Sequence, residues 1–393
     1  MTLSDYGHII SEVAKREIRM LLHRPFYIFS TIVVMIFSSI FFTSLLSSGA
    51  PRKMPIAIVD MDQSTISRRV MHELEGTPSV TIKRVTMDFA TAREALQRGE
   101  VYAILLIPER FYADLASMKR PTMTFYVNNA YTMAGSTAYS QLFTLMNLAS
   151  GAFQREVLRK KGMPDDLIMK RVQPVAIDTH LLANPWSNYA VYLLAVILPG
   201  ILGVIILMIT IYSIGSELKW KTSREWLAVG GDNFALSMIG KLLPHTILYT
   251  ILGISLNILM FRILDFPVMG SLLWLNVGMF LYVLAMEGLA ICFIGLVPVL
   301  RDALSVGALI GMLSFSLSGF TFPAMGMLSW AQSIIYLFPL RHFYLIYVNE
   351  ALMGAPITTS AVYMAAYVGF MILPFLVGKR LENALRLQNY PRD

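Results

Sequence analysis

Three ionisable side chains fall where hydrocarbon, not water, is the expected surrounding. Glu287 lies well inside an apolar run with Gly288 beside it, and Lys241 and His245 lie one helical turn apart on one face of another. A charge in lipid is expensive, so such groups face a bundle interior or a cavity and are candidates for function. The reading taken for Lys241 is that its amine snorkels on a flexible stem to the headgroup layer, with His245 near the same interface. For Glu287 the reading is a place in a solute path or at a subunit contact. A proton relay needs a chain of such residues, and the sequence has none.

Most other chemistry is missing. There is no Gly-x-x-x-x-Gly-Lys-Ser/Thr loop to cradle a nucleotide phosphate. The six histidines (His8, His23, His72, His180, His245 and His342) are scattered without metal-ligand spacing. No serine sits in a nucleophile-elbow context. The chain is therefore read as a non-enzyme with no metal and no cofactor of its own.

The elements that position these groups follow from composition. Of 393 residues, 56% are hydrophobic and only 15% charged, against about 25% charged in soluble domains. With a mean hydropathy of +0.60, the chain reads as an integral membrane protein. The net charge of +7 does not indicate nucleic acid, because the basic residues flank apolar runs as they do at cytoplasmic ends of membrane helices. The single cysteine, Cys292, leaves no intrachain disulfide. Six runs near 26–46, 190–214, 236–261, 272–296, 303–322 and 358–378 each have about the 20 residues a bilayer core requires. The first is too long for a signal-peptide core and is read as an uncleaved anchor. Lys15, Arg16, Arg19, Arg24, Lys219, Lys221, Arg224, Arg301, Lys379, Arg380 and Arg386 all fall on one side, so both termini are expected in the cytoplasm. The charge-free stretch 130–153 is too rich in Ser, Thr, Asn and Gln for lipid contact. Counting it as a span would also reverse every later one.

The expected fold class is thus an α-helical integral membrane protein with six transmembrane helices and an extracytoplasmic α/β domain inserted between helices 1 and 2. Its divisions are an interfacial helix at 1–25, a first span at 26–48, the α/β domain at 49–185, spans 2–6 at 186–378 and a tail at 379–393. Within the insert, strands are expected at 56–59, 80–85, 101–107 and 123–127, with a fifth at 172–177. Helices are expected at 88–98 and 109–118, and one after the first strand is capped by Asp62 or Ser64.

Residues 8–24 form an amphipathic helix. Glu12, Lys15, Arg16, Arg19 and His23 share one face, and Ile10, Val13, Ala14, Ile18, Leu21 and Leu22 the other. Such a helix is expected to lie flat among headgroups. Glu17 is out of place on the apolar face, where it pairs with neighbouring Arg16 or Lys15 or with water, or else meets another subunit. The segment 215–233 carries Glu217, Lys219, Trp220, Lys221, Thr222, Arg224, Glu225 and Trp226 on a short helix. Its tryptophans are either interfacial anchors or a docking surface. After the fifth run, the aromatic segment 323–355, broken by Pro323 and Pro339, is read as re-entrant or surface-lying helices.

Several segments, in order, resemble the ABC type-2 transporter permease family. They are Arg16-Glu17 through Arg24-Pro25; Ile58-Val59-Asp60-Met61-Asp62-Gln63-Ser64-Thr65-Ile66-Ser67, similar to a D-x-D-x-S-x-x-S pattern; Ala95 to Ala103 with Ile107-Pro108 and Phe111; and Gly319-Phe320 with Phe322-Pro323, then Phe338 to Phe343. The resemblance implies the permease half of a dimeric exporter. A separate ABC ATPase subunit holding ATP and Mg would drive it, contacting the 215–233 loop and the basic helix. A second permease copy or paralogue, membrane lipid and a periplasmic adaptor protein are the further partners implied. Lys221 and Arg224 depart from the family's E-x-x-x-G-T-x-E-x-L pattern, where a glycine and an acid are usual. Asp60, Asp62, Ser64 and Ser67 are taken to serve the insert's fold as strand end and helix cap. An amphiphilic drug or lipid-like substrate is the expectation. The alternative is a non-transporting scaffold or receptor whose insert binds an envelope protein.

Overall fold

The computed structural model describes residues 3–117, 119–173, 180, 182–388 and 390. Six helices are long and apolar enough to cross a membrane. They belong to one of two compact units, formed by Met1–Gly49 with Leu181–Asp393, while Ala50–His180 forms the other.

The first unit begins with the amphipathic helix α1 (Leu3–His23). The chain then turns at Arg24 into α2 (Pro25–Leu45), which contains one π-helical turn at Phe29–Val33. Proline at the first helical position suits this restart, since its missing N–H would be unsatisfied there anyway.

The second unit is a four-stranded sheet with helices. Strand β1 (Met54–Asp60) leads to α3 (Thr65–Glu75), β2 (Val80–Thr86), α4 (Phe89–Gln97), β3 (Ala103–Ile107), α5 (Phe111–Ala116) and β4 (Thr124–Val127). The order across the sheet is β2-β1-β3-β4. β1 runs parallel to both neighbours and β4 antiparallel to β3. β1 and β3 read as continuous apolar runs because both faces are covered. Ile56 and Ile58 pack with Val70 and Leu74 on one side; Ala57 and Val59 pack with Ala92 and Ala95 on the other.

Asp60 closes β1 by accepting hydrogen bonds from the backbone N–H of Asp62 and Gln63 and from the Ser67 hydroxyl. Ser64 caps α3 through the Ser67 N–H, and Asp62 accepts from the Tyr112 N–H. Asp60, Ser64 and Ser67 thus hold the local turn into α3, and Asp62 ties that turn to the first turn of α5. The long helix α6 (Thr132–Lys160) buries Ala138 and Leu142 against the sheet but leaves Tyr139, Phe143 and Leu148 exposed. A short helix α7 (Asp165–Val172) follows. The expected fifth strand is corrected at its start, where Val172 ends a helix and Gln173 follows it; residues 174–177 lie outside the described residues.

The chain returns to the first unit with α8 (Tyr189–Lys219), the short α9 (Ser223–Val229), α10 (Phe234–Ile263), α11 (Leu272–Leu296) and α12 (Leu300–Leu317). Short helices α13 (Ser329–Ile334) and α14 (Pro339–Tyr347) precede the last span, α15 (Ile357–Leu387). α8 and α11 are the buried centre of the bundle, and α15 packs along α11. α15 runs nine residues beyond the expected limit at Gly378 and takes up much of the basic tail.

Close helix contact depends on glycine at a few points. A Cβ on Gly288 of α11 would lie 2.5 Å from the Phe370 carbonyl oxygen of α15, whereas one on Gly369 would meet nothing within 4 Å. Gly288→Ala should therefore lower the thermal unfolding midpoint of the full chain in detergent, since backbone must move at a cost of about 1–3 kcal/mol. Gly369→Ala should leave it unchanged or raise it, since alanine is the better helix former by up to about 1 kcal/mol. Equal midpoints in the two variants would refute this packing.

Candidate functional site

A cluster of charges is buried where α1, α8, α9 and α10 meet. Glu17 of α1 points into the bundle, and its side chain is 1% exposed. Lys241 of α10 reaches it at 2.7 Å and also reaches Glu217 of α8 at 3.0 Å. Arg16, on the neighbouring face of α1, grips Glu217 with both terminal nitrogens at 2.7 and 3.1 Å. Ser213 donates to Glu17 at 2.8 Å, and Thr222 donates to Glu217. His245 Nε2 lies 2.9 Å from Glu17, while the Tyr249 hydroxyl lies 3.3 Å from His245 Nδ1. The imidazole thus bridges Glu17 and Tyr249 through its two ring nitrogens.

Two carboxylates are thus met by an ammonium, a guanidinium and an imidazole, and the low-dielectric surroundings make each pairing strong. Burial works against the charge on Glu17, but Lys241 and His245 outweigh it and hold the carboxyl down at about 2, against an ordinary 4.5.

Above this cluster sits α9. The Trp226 indole is fully buried, lies 4.9 Å from the Lys241 amine and donates from Nε1 to the Ser237 carbonyl. The Ser223 hydroxyl and Arg224 Nε donate to the Leu385 and Arg386 carbonyls at the end of α15. Gln388 donates to the Lys221 carbonyl. Lys221 itself has φ +57°, the left-handed region that favours glycine. The position where the resemblance calls for glycine thus keeps a glycine-like backbone with a lysine on it.

These placements correct several expectations. Glu17 pairs with Lys241 and His245, not with its helix neighbours or water. Lys241 does not snorkel and His245 is not at the interface; both are 0% exposed. Trp226 is neither an interfacial anchor nor an open docking residue. On α1, the apolar face is only partly covered: Val13 and Ala14 are buried, but Ile18 and Leu22 are exposed. Glu217 ends a long helix and does not stand in a loop.

Lys219, Trp220, Lys221, Arg224 and Glu225 remain exposed around α9, as does Arg19 on α1, while Arg24 is half-buried at the start of α2. Glu287 is buried apart from the cluster; one oxygen accepts from Thr246 at 2.7 Å, and the other has no hydrogen-bond partner among the described residues. Glu17 carried the signal, and what the sequence left open was its partner. An acid on an apolar face predicts a buried cation, and Lys241 was the available one.

Residues 25–378 match the model of a family described as "ABC-2 family transporter protein". The chain is also 24% identical over 325 residues to the "Inner membrane transport permease YhhJ" of Escherichia coli K12, covering 80% of this chain and 81% of that protein. The Shigella flexneri protein of the same name matches equally.

Removing one member of a buried ion pair leaves its partner uncompensated at a cost of about 3–5 kcal/mol. Lys241→Met should destabilise the full chain in mixed-micelle unfolding by roughly that amount, and adding Glu17→Gln should recover part of it; strictly additive losses would count against direct pairing. The pH dependence has a definite sign. Because the folded carboxyl of Glu17 titrates below the ordinary value, its contribution is complete above about pH 4.5 and is lost as pH falls towards 2. Glu17→Gln should flatten the unfolding midpoint against pH in that window; an unchanged slope would remove Glu17 as its source.

Proposed function

The chain belongs to the ABC-2 family of transporter proteins, and on that premise we propose that it is the multi-pass inner-membrane permease subunit of an ATP-driven exporter. A separate ABC ATPase would bind ATP and Mg and hydrolyse the nucleotide; family members normally work with such a partner. Both termini and α9 lie on the cytoplasmic side in this reading, and the α/β unit on the other. Two copies, or this chain and a paralogue, enclose the path, and an amphiphile is the cargo. Support for the orientation comes from the basic flanks of the spans. The exposed apolar side chains of the outer segment, among them Met325, Leu328 and Trp330, support the choice of cargo.

One observation carries the coupling role. α9 presents an open, charged and aromatic edge, yet it is fixed to three other helices, α8, α10 and α15, by Thr222, Trp226, Ser223 and Arg224. A displacement applied to that edge reaches α8, α10 and α15 together, and α1 through its ion pairs with Glu217 and Lys241. Trp220 (61% exposed) and Glu225 are the side chains best placed to meet a partner. The buried Trp226 then acts as a strut, and the departures at Lys221 and Arg224 tune the partner's complementary surface.

The test begins with purification of the intact chain in mild detergent. An ABC ATPase should copurify, and its ATP hydrolysis should be stimulated by the permease. Trp220→Ala with Glu225→Arg should cut that stimulation about tenfold, the loss expected from a pair of interface anchors, without lowering the chain's unfolding midpoint. Failure of any ATPase to copurify would favour the scaffold reading instead.

A further inference from the structure

The bundle buries an arginine at the end away from α9. α12 starts beside the end of α8, where Leu300 packs on Gly215, and finishes near the start of α8, where Tyr192 donates to the Phe320 carbonyl. Arg341 of α14 stands at that far end and is 6% exposed. Its Nη1 donates to the Ser318 carbonyl at 2.7 Å, just past the last residue of α12. Gly319, with φ +90°, leaves room for that nitrogen where a Cβ would overlap it. The Tyr336 ring covers one face of the guanidinium, 5.4 Å from Cζ.

These contacts leave a charge unmatched. A guanidinium does not shed its proton in proteins, and burying one without a countercharge costs several kcal/mol. The end of α12 supplies roughly half a negative charge, and the ring face a further weak attraction. No carboxylate forms an ion pair with Arg341 among the described residues, not even Glu350, which is buried further along the same segment. Arg16, by contrast, is met by Glu217. Nε of Arg341 is buried with no partner among the described residues, and only Nη1 makes a hydrogen bond. The unfilled donors, Nε and Nη2, are therefore neighbours on one edge. Such a paired edge takes two oxygens of a carboxylate or phosphate in parallel. Next to Arg341 the Tyr336 ring is itself half-exposed, and Leu337 follows it with its side chain exposed.

We propose that this edge binds the oxyanion head of an amphiphile, a carboxylate, sulfate or phosphate, with its chain lying over Tyr336 and Leu337. The site stands on this geometry. Its assignment to the cargo's head rests on the exporter reading, since a bilayer lipid offers the same chemistry.

The probe is dodecyl phosphate carrying a diazirine on its chain. It is photolysed with the purified full chain in dodecyl maltoside, a detergent without an oxyanion, and labelled peptides and the unfolding midpoint are read together. Labelling should saturate on residues 330–338. Unlabelled dodecyl phosphate should compete about tenfold better than dodecanol or dodecyltrimethylammonium, the size of one charge-assisted hydrogen bond. Arg341→Lys, which keeps a charge without the paired donors, should erase that preference. Tyr336→Glu puts a carboxylate where the ring stood and fills the edge from within. It should erase the preference too, without lowering the midpoint, and it decides the matter if Arg341→Lys does not fold.

Equal competition by all three compounds would overturn the proposal, as would a preference that survives Tyr336→Glu. Competition by added phosphatidylglycerol assigns the site to bilayer lipid, and lack of it assigns the site to cargo. Failure of an ATPase to copurify leaves these readings untouched and bears on the exporter reading alone.

Discussion

Taking a carboxylate out of water costs several kcal/mol unless a cation meets it with good geometry. That penalty fixes one end of this bundle. Glu17 and Glu217 are both buried, on helices far apart in sequence, and Lys241 is the ammonium between them. No arrangement of α1, α8 and α10 that separates them is tolerable, since each would strand a charge. Helix packing in lipid is otherwise weakly directional, because side chains and lipid tails are equally apolar. The charge cluster supplies the register that apolar contact does not, and Arg16 repeats the device through its two-point grip on Glu217.

The same cluster anchors α9, which has only seven residues. A helix of that length has little stability of its own. It is held from below by Trp226 over Lys241 and from the side by carbonyls at the end of α15. Its conformation is therefore a property of the bundle.

The sequence reading was strongest where a signal is local. Twenty-residue apolar runs, the alternation of apolar strands with capped helices in the insert, and Gly99 ending α4 with φ +72° are written in adjacent residues. The charge cluster was not, since Glu17 and Lys241 are 224 positions apart. Each was visible as an anomaly, an acid on an apolar face and a lysine in an apolar run. Read singly, both had ready explanations in solvent or headgroups. Trp226 misled for the related reason that a tryptophan among charges looks interfacial, and only packing shows its indole beneath the chain.

One small feature bears on how such proteins change over time. The Tyr189 N–H donates to the Gly49 carbonyl, and the Asn188 side chain packs where a Cβ on Gly49 would stand. The two ends of the whole α/β unit are thus stitched together within the membrane unit, one peptide from each span. Chain ends that meet so closely are where domains are tolerated as insertions, and the closure entropy grows only slowly with what lies between. Gly49 and Asn188 therefore act as a splice junction. Evolution can lengthen, shorten or exchange the segment between them while the bundle and its ion pairs stay as they are.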